Sequence, residues 1–115
     1  MRPIPYTFTL TAGTQLAEGR LVKLDSSGNA VYLTASDDIA ATPAAVTIAT
    51  AASGNPVAVG PVRGTLAAIV ASSSITAGST VYSDADGKVK STGTNAVGTA
   101  VTDASADEFV VVLTI

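Results

Sequence analysis

Cysteine, histidine and tryptophan are all missing from this 115-residue chain. Without cysteine there is neither a disulfide framework nor a thiolate metal site, and the redox compartment is left open. Without histidine, the commonest general base and the commonest transition-metal ligand are gone, which removes most hydrolase and metalloenzyme designs. Aromatic residues make up only 4% of the chain, so the core has to be built from Val, Ile, Leu and many alanines. Charge is scarce as well. Charged residues are 13%, about half the share of an ordinary domain. With six basic residues scattered singly and a net charge of −3, nothing forms the electrostatic footprint of a DNA- or RNA-binding surface. No apolar run approaches the ~20 residues of a spanning helix, and "MRPIPYTFTL" contains no apolar stretch of signal-peptide length. The chain therefore reads as soluble, made in the cytoplasm and without a membrane partner.

What is present is a period-two pattern. In "YTFTL", Tyr6, Phe8 and Leu10 share one face and Thr7 and Thr9 the other, as in a half-buried strand. Further strands are expected over 21–24, 30–33, 45–48, 56–59, 62–70, 80–83, 88–91 and 96–101. In "EFVVVLTI", Phe109, Val111, Leu113 and Ile115 face one way and Val110 and Val112 the other. Apolar on both faces, it predicts a central strand packed on two sides. "DDIAATPAAVTIATAASG" has helical composition, but Pro43 interrupts it and Val46, Thr47, Ile48 and Thr50 are β-branched, so at most one short helical turn is expected. Many short strands between Gly, Pro, Ser and Asp turns predict an all-β fold, a small β-sandwich or partly closed β-barrel of antiparallel strands. A surface so low in charge suits either a protein docked against copies or a partner, or a monomer with a Thr/Ser-rich exterior.

The densest acidic cluster lies in "GSTVYSDADGKVK", and it has a twin. "GRLVKLDSSG" and "GSTVYSDADG" share Gly19/Gly78, Val22/Val81, Asp25/Asp84 and Gly28/Gly87 at a constant spacing of 59 residues, which points to one supersecondary unit used twice. As a calcium loop the cluster fails. With Gly87 at the sixth position, Tyr82 falls at the first and Gly93 at the twelfth, where carboxylate or amide ligands are required. As a carboxylate pair for catalysis it lacks a substrate-lining aromatic set. A hairpin turn accounts for every residue: Asp25 and Asp84 open the turns by accepting backbone hydrogen bonds, and Gly28 and Gly87 close them at positive φ. Asp86 is then a solvated tip.

The remaining signals are structural. Lys88 and Lys90 flank Val89 as a solvated face or edge protection. "SGNPVAVGPVRG" lacks the Lys-Ser/Thr of a phosphate loop, and Pro56 and Pro61 bound a short strand. Ser53, Ser72, Ser73 and Ser74 have no histidine to activate them. No catalytic set, metal site, cofactor site or small-molecule substrate site is expected.

Ala77-Gly78 before a strand, Val81-Tyr82 followed by the acidic-glycine turn Asp84 to Gly87, the "AVGTAV" strand, and "TDASADE" leading into a valine-rich C-terminal strand together carry a resemblance. The chain resembles the small head decoration, or cement, proteins of tailed phages from Leu16 onward, with 39–54 less characteristic. The resemblance implies a non-enzymatic β-rich virion protein, usually trimeric. Such a protein binds the outside of the expanded capsid and holds neighbouring major capsid subunits together against internal DNA pressure, with no direct nucleic-acid contact. Residues 1–15 are then expected to form an extended arm and first strand, and 16–115 a single decoration domain. The expected capsid contact is the arm, at Arg2, Pro3, Ile4, Pro5 and Tyr6, because its two prolines favour an extended, low-entropy conformation. The alternatives from the residues are a tail, spike or fibre module of a virion, or a small β-sandwich binding module.

Overall fold

The computed structural model describes residues 8–62 and 64–115. Its ten strands are β1 (Phe8–Thr11), β2 (Leu21–Leu24), β3 (Ala30–Tyr32), β4 (Ala44–Thr47), β5 (Pro56–Pro61), β6 (Leu66–Val70), β7 (Thr80–Ser83), β8 (Val89–Lys90), β9 (Ala96–Ala100) and β10 (Phe109–Thr114). They make two five-stranded antiparallel sheets, ordered β1-β5-β4-β2-β3 and β6-β10-β9-β7-β8. The second order is the first with every strand replaced by its counterpart, so the repeat glimpsed in the two Gly-Val-Asp-Gly stretches extends over the whole chain.

The duplication holds bond by bond. Leu16 N–H donates to the Ala51 carbonyl at 2.8 Å, and Ile75 N–H to that of Ala104 at 2.8 Å. Gly19 donates to Thr47 at 2.9 Å and Gly78 to Ala100 at 2.7 Å; Ile48 donates to Ala58 at 2.9 Å and Val101 to Val111 at 2.7 Å. Early elements match at the spacing of 59 residues found in the sequence, while β5 maps onto β10 at 53, with Val57 on Val110 and Val59 on Val112. Because the second link is shorter, no single spacing aligns both the early and the late strands. Each sheet curls until its edges touch at one parallel bridge, Ala12 to Ala30 and Ala71 to Val89. A single bridge does not close a barrel, and the fold is two packed, curled sheets.

Inside each curl sits the same small core. Ala12, Leu16, Val22, Ala30, Ala51, Val57 and Val59 fill the first; their counterparts Ala71, Ile75, Val81, Val89, Ala104, Val110 and Val112 belong to the second. Small side chains are required because a strongly curled five-stranded sheet leaves little room. The halves are then joined by residues on the outside of the first. Leu21, Leu33, Ile39, Val46 and Val62 pack into the cluster of the second half. Polar bonds cross the same seam: Val70 N–H to the Gly19 carbonyl at 2.8 Å, Gly87 N–H to that of Leu33 at 2.9 Å, and Ser83 Oγ to that of Asp37 at 3.0 Å. Thr47, buried in this region, accepts from Arg20 N–H at 3.0 Å and donates to the Ala17 carbonyl at 2.7 Å, pinning the loop before β2.

Two expectations change. The strand expected over 62–70 starts only at Leu66, because Gly64 has φ 71° and turns the chain. β10 lies between β6 and β9, but only one of its faces is packed. Val110 and Val112 are fully buried, whereas Phe109 and Leu113 are about half exposed. A curled sheet buries its concave side only, so apolar residues on both faces did not mean cover on both. In the alanine-rich stretch, Asp38 makes a turn by accepting from Ala41 and Thr42 at its carbonyl and from Ala40 at its carboxylate. The one short helical turn among the described residues is instead a 3-10 turn at Ala85–Gly87.

Candidate functional site

The acidic cluster resolves into individual partners. Asp84 accepts from Ser72 Oγ at 2.5 Å and lies 3.5 Å from Lys90 Nζ. The Ser72 hydroxyl, against the opposing effect of burial and with help from the Ala85 N–H and Lys90, holds the Asp84 carboxyl below the usual carboxylate range. Asp86 is exposed, at φ 59°, and its carbonyl accepts from Arg20 Nη1 at 3.0 Å. Among the described residues no group of three or more acidic, His or Cys side chains converges as a metal ligand set.

Turn chemistry differs between the twins. At Asp25 the carboxylate accepts from Ser27 and Asn29 N–H, both at 2.9 Å, and the Asp25 carbonyl accepts from Gly28 N–H at 3.0 Å. At Asp84 the carboxylate swings to Ser72 and the turn tightens into the 3-10 conformation. Gly28 and Gly87 both have positive φ, 82° and 69°. Gly28 stands in open space, whereas a Cβ on Gly87 would come within 2.3 Å of the Leu21 carbonyl oxygen. The second turn is thus wedged against the first half, and its glycine is demanded by proximity as well as by conformation.

Two other ion pairs brace loops. Burial pushes the Asp37 carboxyl up, but Lys23 at 2.8 Å and the backbone and hydroxyl of Thr34 outweigh it, leaving that carboxyl below its ordinary value. Lys88 reaches Asp107 at 3.1 Å. Asp37, Asp84 and Asp107 each have a cationic partner in Lys23, Lys90 and Lys88.

The feature that stands apart is apolar. Six of the seven large exposed hydrophobic residues among those described are Ile48, Leu66, Val101, Phe109, Leu113 and Ile115. Leu66 and Leu113 are cross-strand partners, 64% and 51% exposed, on the convex side of β6 and β10. Beside them an open groove of about 540 Å³ runs along the junction of the halves, lined by Ile48, Leu66, Ala68 and Phe109 together with Glu18. The signal in the sequence is the apolar outer positions of "EFVVVLTI", a pattern that a second buried layer and an open apolar face share. The residues Arg2, Pro3, Ile4, Pro5 and Tyr6, expected to meet a capsid, lie outside the described residues.

The sequence model of a family described as phage cement protein matches residues 4–115, nearly the whole chain. No curated protein sequence matches. Among solved structures, the fold is similar to "The crystal structure of head fiber gp8.5 N base in bacteriophage phi29", with a TM-score of 0.79 and 18% identity over 95% of this chain and 92% of that one.

Proposed function

The chain belongs to the phage cement protein family, a family of non-catalytic structural phage proteins, and from that premise we propose that it binds the outside of the mature head and stabilises the lattice of the major capsid protein, acting as a homotrimer. The family match over residues 4–115 is the observation that carries this reading. The architecture supports it: two small curled sheets braced by short turns make a rigid body that presents edges and loops. A protein that binds the mature lattice and not its dispersed subunits shifts the assembly equilibrium toward the intact shell. Several weak contacts per oligomer then add through multivalency. The proposed capsid contact is the arm at Arg2–Tyr6, and removing residues 1–5 is expected to weaken occupancy with the fold unchanged.

The test is to mix the purified protein with mature, undecorated heads, pellet the particles and compare their heat stability with and without it. Saturable co-sedimentation with raised stability supports the reading; no binding, with the protein forming tubes or staying in the supernatant, refutes it. A head-attached fibre component is the second reading, favoured by the fold likeness to a head fibre base. It is distinguished by occupancy, since a cement protein fills sites across the whole lattice and a fibre base fills a sparse subset.

A further inference from the structure

The two halves supply an internal comparison that separates what the fold needs from what it does not. Facing inward, the counterparts agree: Leu10 and Ile69, Val57 and Val110, Val59 and Val112. Facing outward on the same strands they diverge in one direction. Thr9, Pro56, Ala58 and Gly60 of the first half correspond to Ala68, Phe109, Val111 and Leu113 of the second, while Val70, at the place of Thr11, is buried at the seam. The first half builds its sheet with small or polar residues at these places, so the fold does not require large apolar ones there. The second half carries them, and the two largest, Phe109 and Leu113, are half exposed.

Six side chains near half exposure place on the order of 500 Å² of apolar surface in one region, toward the upper end for the largest patch on a monomer. No charged side chain interrupts the convex positions of β6, β10 and β9, which hold Leu66, Ala68, Phe109, Val111, Leu113 and Thr99. Apposed on a copy of itself, the surface would bury roughly 1,000 Å² in total, the lower bound for a specific interface. Surfaces this apolar and uncharged are typical of permanent interfaces between identical chains, whereas sites for a partner met later keep a more polar composition. A chain with only 13% charged residues has little else to keep such a face from non-specific association, and the partner always at hand during synthesis is another copy.

We propose that the convex face of β6, β10 and β9, with the adjoining groove beside Ile48 and Phe109, is the surface through which copies of this chain associate. This deepens the oligomeric part of the decoration reading and stands independently of capsid binding. Residues on the inner faces hold each half together, and this outer face joins one molecule to the next.

The test compares the solution mass of the wild type with that of Leu66→Lys/Leu113→Lys across the micromolar range by sedimentation equilibrium, with circular dichroism and the thermal midpoint as fold controls. Thr9→Lys/Thr11→Lys adds the same charge to the corresponding face of the first half. The wild type is expected at a small multiple of the 11.3 kDa chain mass. The Leu66/Leu113 variant is expected at the mass of a single chain, its dissociation constant raised about a hundredfold or more by charge buried in an apolar interface. The Thr9/Thr11 variant should match the wild type. A monomeric wild type overturns the proposal, as does a Leu66/Leu113 variant of unchanged mass, including one that has lost only binding to heads. A chain that oligomerises through this face but ignores heads refutes the decoration reading and leaves the proposal standing.

Discussion

Gly28 and Gly87 occupy the same place in the two repeats, and substituting each with alanine separates conformational strain from contact strain. Both have positive φ, 82° and 69°, where an L-residue costs about 1–2 kcal/mol. For Gly28→Ala that is the whole effect, since no atom lies within 4 Å of the added methyl. For Gly87→Ala the methyl would lie 2.3 Å from the Leu21 carbonyl oxygen, 2.9 Å from the Leu21 nitrogen and 3.0 Å from Arg20 Cβ. Backbone atoms cannot rotate away, so the seam between the halves has to open. Overpacking of this kind costs about 1–3 kcal/mol, and loosening the 2.9 Å hydrogen bond from Gly87 N–H to Leu33 adds about 1 kcal/mol. The expected loss is about 1–2 kcal/mol at Gly28 and about 3–6 kcal/mol at Gly87, a large part of the 5–15 kcal/mol typical of a whole domain. Urea unfolding at one fixed protein concentration reads the difference as separate midpoints at similar slope. Amide exchange at Gly87 should accelerate in the Gly87 variant alone. If the two variants unfold within about 1 kcal/mol of each other, or if Gly87→Ala is the milder, the wedge between the halves does not exist as described.

The other predictions concern buried pairs and titration. Val22→Ala and Val81→Ala, at equivalent fully buried sites, should each cost about 2 kcal/mol by the same urea assay; a much smaller loss at either would show that its curl is not a packed core. Thr47→Val keeps the shape but leaves Arg20 N–H and the Ala17 carbonyl unpaired, for an expected loss of about 1–3 kcal/mol. Asp37 and Asp84 have folded-state pKa values below their ordinary ones. Their contribution is therefore fully present above the unfolded carboxylate range near pH 4 and disappears as pH falls through the lower folded values. Asp37→Asn and Asp84→Asn should flatten the acid limb of stability against pH, and an unchanged limb would contradict the assigned partners.

How much could be read from the sequence depends on which force was at work. Local chemistry was legible: Pro56 and Pro61 bound β5, and the two acidic-glycine turns stand at strand junctions with glycines at positive φ. The inward side of β10 was legible from Val110 and Val112. The full duplication was not, because the spacing changes from 59 to 53 between the early and late strands and the aligned residues are mostly interchangeable small apolar ones. The rotation of Asp84 toward Ser72 depends on a residue twelve positions away, which turn grammar does not encode. Nor does alternation reveal whether a second layer covers an apolar face. Phe109 and Leu113 read as buried because apolar residues usually are, and only the curl of the sheet shows them outside.

Duplication also poses a problem that the chain solves. Its first half docks on the second through Leu21, Leu33, Ile39, Val46 and Val62, a head-to-tail contact, and a repeat that kept these residues would go on to recruit another copy and build an open filament. At the places corresponding to Leu21, Leu33 and Val46 the second half has Thr80, Thr92 and Thr99, with Ile115, opposite Val62, the apolar exception. The terminal repeat is thereby capped against propagation along the axis that joins the halves. Its apolar surface lies instead on β6 and β10, at places where the first half has Thr9, Pro56, Ala58 and Gly60. On the proposal above, copies join through that face, and the assembly is closed where the rotation between them closes. Under the decoration reading, an assembly of fixed geometry lets several weak contacts to the lattice engage at once.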